Sequence, residues 1–179
     1  MRARRYRYRR SDFGPLPLDL RHMDLYLSFA GGRVEVVNAL RIAVREPLNA
    51  VELDARELEI LAVEWGGAES VRPLKHTYDE QRNKLRIELP RRAEPGEDFT
   101  IRTRTRCEPS DNVLEGIYKD TTPECLPGGK PPPPGGMPQQ YMSQCQQWGF
   151  QRIAPVFDDC TAKCTMTTTI EADARYTHL

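Results

Sequence analysis

Apolar and polar residues alternate with a period of two along most of this chain, and helical periodicity is nearly absent. Such alternation turns successive side chains to opposite faces, which suits half-buried strands. Over residues 33–45, Val34, Val36, Leu40, Ile42 and Val44 share one face, while Glu35, Arg41 and Arg45 point the other way. Gly31-Gly32 supplies a turn just upstream, and Leu25, Leu27 and Phe29 line one side of 24–30, so the two runs read as a hairpin. Leu85, Ile87 and Leu89 alternate with Lys84, Arg86 and Glu88. That run is expected to end at Pro90, which cannot donate to a ladder. Phe99 and Ile101 lead a run whose other face carries Arg102, Arg104 and Arg106. Near the end, Cys164, Met166, Thr168 and Ile170 alternate with Lys163, Thr165, Thr167 and Thr169, as on a half-exposed pleated surface. Residues 51–53 and 58–65 are shorter, more apolar candidates. Seven or more short strands separated by turns predict an all-β fold, an antiparallel sandwich or open barrel. The outward arginines read as its solvated side, which also discourages edge-to-edge pairing.

A chain of 179 residues can bury one sizeable core. No window approaches eighteen consecutive apolar residues, so no membrane-spanning helix is expected. The first residues lack the apolar centre of a secretory signal, and a cytoplasmic location is expected. Basic and acidic residues balance at 26 each, yet six arginines fall in the first ten positions. With Tyr6 and Tyr8 interleaved, that arm has the composition of a nucleic-acid or anionic-membrane patch. A solvated, flexible terminus with no shaped site is the plainer account. The expected organisation is therefore a basic arm at 1–17 and a single β domain at 18–179, with neither nucleic acid nor membrane as partner.

Prolines and glycines occupy 11 of the 16 positions from Pro123 to Pro138, too many for a sheet, so this segment is expected to be an exposed polyproline-like loop. It reads as an insertion between strands, or as a ligand for an aromatic-lined groove. The five cysteines, at 107, 125, 145, 160 and 164, are odd in number and irregularly spaced, so unpaired thiols in a reducing compartment are expected. Cys160 and Cys164 have no second ligand pair, and His22, His76 and His178 are scattered, so no metal site is expected in this chain.

No complete active site is visible either. No serine or cysteine is accompanied by a histidine and an acid in a nucleophile motif. Gly128-Gly129 and Gly135-Gly136 lie within the proline segment and not between a strand and a helix, so they form no phosphate loop. Asp158 and Asp159 are adjacent, so on a strand they would face opposite ways; capping a short helical turn is the alternative. The distinctive stretch is 140–159, QYMSQCQQWGFQRIAPVFDD. If 141–146 is extended, Gln144 and Gln146 share a face about 6.6 Å apart. Two primary amides can receive a polar ligand such as an ammonium. From the residues alone, an ordinary half-exposed strand is the better account of them.

The same stretch resembles the N-terminal domain of the zinc aminopeptidase family that includes alanyl and puromycin-sensitive aminopeptidases, aminopeptidase B and leukotriene hydrolase. The family pattern is Q-x-E followed, seven or so residues later, by R-x-x-P-C-F-D-E-P-x-x-K. Gln144 and Gln146 take the first two places, and Arg152, Pro155, Phe157, Asp158, Asp159 and Lys163 follow at the same spacing. Leu114-Glu115-Gly116-Ile117-Tyr118 resembles the G-L/I-Y before the family's substrate strand. Leu53-Asp54-Ala55 with Leu58-Glu59-Ile60 resembles L-D-A-x-x-L-x-I, and 170–176 is similar to the bacterial branch.

The resemblance covers about 19–179 and implies a saddle-shaped, mostly antiparallel β domain packed on a thermolysin-like catalytic domain of the same polypeptide. It further implies that Gln144 and Gln146 line the substrate pocket and receive the peptide's N-terminus. Gln146 stands where the family's Glu holds the α-amino group, and a neutral amide accepts without charge assistance. Gln-Cys-Gln is nonetheless similar to the aminopeptidase B and leukotriene hydrolase branch. Val156 and Cys160 replace the family's Cys and Pro. G-x-M-E-N and H-E-x-x-H, which carry the family's zinc and general base, are absent from this sequence. The expectation is a non-catalytic N-terminal fragment of a zinc metallo-aminopeptidase, with zinc in the remainder of the parent. The rival expectation is a stand-alone β-sandwich that binds a partner through 123–138.

Overall fold

The computed structural model describes residues 14–29, 32–66, 71–111, 113–120, 128–131, 134, 140–146, 148–174 and 176. Ten residues of β1 and β2 form the antiparallel ladder of the expected hairpin, β1 spanning Leu18–Ser28 and β2 Val34–Val44. The remaining strands are β3 (Leu48–Asp54), β4 (Glu59–Trp65), β5 (Arg72–Pro73), β6 (His76–Asp79), β7 (Lys84–Ala93), β8 (Asp98–Cys107), β9 (Gly116–Lys119), β10 (Tyr141–Gln144) and β11 (Thr165–Glu171). A single 3-10 turn, Phe150–Arg152, is the only helical element among the described residues.

The strands make an open six-stranded sheet in the order β11-β1-β2-β8-β4-β5, a three-stranded sheet β3-β7-β6 and the pair β10-β9. This is the all-β architecture that the alternation predicts. The apolar stripe of β2 is buried as expected, with Val34, Val36, Leu40, Ile42 and Val44 each at most 4% exposed. Leu53, Leu85 and Ile87 on the smaller sheet are fully buried and belong to the same core cluster. Burying each such side chain contributes about 1.5–3 kcal/mol.

Three details depart from the expectations. The edge strand β11 runs parallel to β1, His22 facing Thr165 and Leu27 facing Ile170, so the large sheet is mixed. Every residue of β11 is exposed, on both faces, where a half-exposed surface was expected. Its threonine alternation reports the pleat, but no described element covers either side. Third, β7 continues through Pro90 to Ala93. Its ladder with β3 shifts register between Ala50↔Glu88 and Leu48↔Ala93, and β6 pairs only as far as Ile87. Pro90 therefore lies in a bulge, past the last β6 partner, where the ladder needs no donor.

Asn38 was not part of the predicted stripe, yet it lies within it, fully buried and opposite Thr103. Of the expected basic arm, residues 1–13 lie outside the described residues, and of the proline-rich loop only 128–131 and 134 are described, all exposed.

Candidate functional site

The β9–β10 hairpin presents the first predicted site residue. Tyr141 pairs with Lys119, Met142 with Tyr118, Ser143 with Ile117 and Gln144 with Gly116. β10 stops at Gln144, and Gln146 already lies in a turn, so the extended run through 146 does not form. The cause is steric and local. At Gly149 the returning chain passes so close that a Cβ there would sit 2.5 Å from the Gln144 carbonyl oxygen and 2.9 Å from Cys145 Cα. Only glycine admits this approach. Trp148, just before it, is held at φ 72° and is 46% exposed. A left-handed conformation costs a residue of this kind about 1–2 kcal/mol. Gln144 and Gln146 are both exposed, at the end of a strand and in the turn that follows.

Three anchors fasten the segment after the turn. Arg152 donates from Nε to Glu115 at 3.1 Å and pairs through Nη1 with Glu57. Arg56 bridges the same two carboxylates, at 3.4 Å to Glu115 and 3.6 Å to Glu57. Next, Val156 and Asp54 exchange backbone hydrogen bonds of 2.6 and 3.0 Å. The Asp54 carboxylate accepts from Lys84 Nζ at 2.6 Å and from the Asp158 N–H at 3.1 Å. Finally, Asn38 Nδ2 reaches up from the large sheet and donates to the Pro155 carbonyl at 2.8 Å. The fragments around 54, 115 and 152–158, far apart in sequence, thus meet in space.

The electrostatics disfavour nucleophilic chemistry by the thiols here. Burial, and then the nearby Asp158, push the Cys145 thiol up. Burial and then the charge of Asp54 raise the Asp158 carboxyl, against hydrogen bonds from Gln151. Burial pushes Cys107 up to about 12. These thiols stay protonated near neutrality and are poor nucleophiles. Asp159 accepts from the N–H and Oγ1 of Thr161 at 2.7 and 2.6 Å, which closes a turn and caps no helix. A cavity of about 360 Å³ opens beside the ion cluster, lined by Glu57, Cys107, Glu115, Ile117 and Arg152 among others; neither Gln144 nor Gln146 lines it. What the glutamines offer is two neutral amides that donate and accept hydrogen bonds. Three or more His, Cys, Asp or Glu side chains able to hold a metal ion do not come together among the described residues.

Sequence reasoning had found Gln144, Gln146 and Arg152 but not the partners Glu57, Glu115, Asp54 and Asn38. Their contacts span tens of residues, which periodicity cannot report. The only signal was that Asp54 and Glu115 fall inside or beside the other two fragments of the resemblance.

Comparison with known proteins bears on the family and the fold. Residues 20–179 match the sequence model of the peptidase M1 N-terminal domain. Among solved structures, the M1 zinc metallopeptidase from Deinococcus radiodurans superposes with a TM-score of 0.66 at 20% identity, covering 88% of this chain and 33% of that one. A mutant two-domain M1 zinc metallopeptidase bound to L-tryptophan superposes with a TM-score of 0.63 at 23% identity and the same coverage. The corresponding mutant bound to L-arginine gives 0.63 at 22%. At these identities the likeness establishes the fold, and this chain spans 33% of their length. No curated protein sequence matches the chain.

Proposed function

This chain belongs to the peptidase M1 N-terminal domain family, and from that premise we propose that it is the non-catalytic N-terminal domain of a zinc metallo-aminopeptidase that removes N-terminal residues from peptides. In this reading a downstream catalytic domain of the same polypeptide carries the zinc and the hydrolytic chemistry. The described residues of this chain do not fit a zinc site, so no catalytic step is assigned to them. Gln144 and Gln146 form one wall of the substrate pocket and hydrogen-bond the peptide's N-terminal ammonium through their amide oxygens.

The observation that carries the reading is the exposed strand end at Gln144 and the turn at Gln146, built on a segment at the family's spacing in which Pro155 is buried and Arg152 and Asp158 are half-buried. The ammonium contact is neutral–charged, weaker than the carboxylate–ammonium contact of the family's usual Glu. A cytoplasmic location is proposed with it, supported by the unpaired thiols of the described cysteines, Cys107, Cys145, Cys160 and Cys164. No helix among the described residues is long and apolar enough to cross a membrane.

The test joins this chain to the segment that follows it in its reading frame and assays release of N-terminal residues from aminoacyl amides. Chelator-sensitive turnover is expected, with Gln144→Ala raising KM and Gln146→Glu lowering it. A folded, zinc-loaded protein that releases no N-terminal residue overturns the reading.

A further inference from the structure

We propose that Arg152 is the positioning residue that holds Gln144 and Gln146 in register for a peptide's N-terminus, an inference that rests on the reading of those glutamines given above. It starts from backbone strain. Three non-glycine residues among those described have positive φ, namely Glu57 at 55°, Asn83 at 55° and Trp148 at 72°. Asn83 lies in the turn between β6 and β7, where asparagine tolerates this conformation. A glutamate and a bulky indole do so poorly, and such residues persist only where their surroundings over-determine them.

Arg152 touches the surroundings of both. Its guanidinium pairs with Glu57 itself and donates from Nε to Glu115, the neighbour of Gly116. Its backbone N–H donates at 3.1 Å to the carbonyl of Gly149, the residue after Trp148. Its Cβ lies 2.8 Å from where a Cβ on Gly116 would sit, so the stem fills the space that glycine leaves at the start of β9. Head, stem and backbone of one residue therefore tie together the β3–β4 loop, the entry to β9 and the turn after β10. The side chain is only 13% exposed. Two of its three guanidinium nitrogens go to two different carboxylates, a fork that the single ammonium of lysine cannot reproduce. Arg56 spans the same glutamates from a more exposed position and reinforces the clamp, its own N–H donating to the Gln151 carbonyl at 2.8 Å.

The experiment compares Arg152→Lys and Glu57→Gln with the unmutated 179-residue chain by amide hydrogen exchange and by NMR of the glutamine side-chain amides. Amides of β1, β2 and β8 serve as the internal reference for an intact fold. Exchange across 145–149 is expected to speed about tenfold while the reference amides hold, as for a local opening. The Gln144 and Gln146 side-chain signals are expected to move towards those of free glutamine. Should Arg152→Lys fail to fold, Glu57→Gln, which alters the exposed partner, decides alone. Unchanged exchange at 145–149 within an intact sheet overturns the proposal. In the joined enzyme, Arg152→Lys is expected to raise KM several-fold with kcat held. A loosened turn with unchanged KM overturns the positioning role and leaves the proposed function standing. An unmutated enzyme that cleaves nothing overturns the proposed function itself, whatever the exchange data show.

Discussion

Strand β2 and the segment from Gln144 to Asp158 meet at Asn38, and they are held in place by opposite means. β2 is fixed by a row of buried aliphatic side chains, each repeating the same non-directional contact. The 144–158 segment contributes Ile153, Ala154 and Val156 to the core, packs Cys145, Phe150 and Phe157 against it, and adds anchors that are polar and directional. The first arrangement is redundant, since any residue of similar volume in the row sustains it. The second depends on single atoms, since each carboxylate or carbonyl has a particular donor. Under the proposed function, the directional kind lies where the two amides are presented.

The contrast breaks most completely with Leu40→Ala. A fully buried leucine reduced to alanine costs about 2–5 kcal/mol, and chemical denaturation is expected to show the whole fold shifting together. Gly149→Ala is expected to cost up to about 3 kcal/mol through backbone overlap. Its effect should be local, with hydrogen exchange rising at 145–149 ahead of β2. If both substitutions loosen both regions equally, the two are one cooperative unit and the contrast fails.

Asn38→Ala sharpens the comparison, because the residue belongs to both regions. It strands the Pro155 carbonyl, a loss of about 1–3 kcal/mol. The loss is partly offset because Asn38 Oδ1 has no protein partner among the described residues. The measurement is a denaturation midpoint together with exchange at 153–156, which should rise more than exchange in β8.

A smaller effect is one of pH. The Asp158 carboxyl is raised above the ordinary aspartate range, so the folded chain holds a proton that the unfolded chain has released. Stability therefore falls as pH rises from the unfolded value through the raised one. Asp158→Asn is expected to flatten that part of a stability–pH profile, and an unaltered slope would place the proton elsewhere. The mildest probe is thiol labelling of the native chain. Exposed Cys160 should react at once, and buried Cys107, with its thiol pushed up to about 12, only on unfolding.

The stripes of β1, β2, β7 and β8 were legible in the sequence because burial on one face writes itself as alternation. The parallel partner of β1 was not, since parallel and antiparallel strands share the same side-chain period. β5 and β6 left little trace: Arg72-Pro73 is too short, and His-Thr-Tyr-Asp at 76–79 has one half-buried aromatic to mark a face. Pro90 misled because a bulge removes the requirement that normally excludes proline from a strand. At the candidate site, the family resemblance located Gln144, Gln146 and Arg152, and physical reasoning supplied what two amides can do. The left-handed backbone at Trp148 had no signal, because tryptophan is not a residue that announces a turn. Glu57 carried no signal, and nothing in the sequence joined it or Glu115 to Arg152, since those contacts form only in the fold.

The parallel pairing of β1 with β11 has a mechanical side. The two strands nearest the described ends of the chain lie side by side and run in the same direction, with seven residues in register from His22↔Thr165 to Ser28↔Glu171. A pull on the chain before Leu18 and after Glu171 draws them past one another, so the rungs of the ladder are loaded together in shear and not unzipped one by one. A tug on the chain after Glu171 therefore loads that ladder as a whole. It also reaches β10, because the ring of Tyr176, beyond the strand, lies 6.0 Å from that of Tyr141.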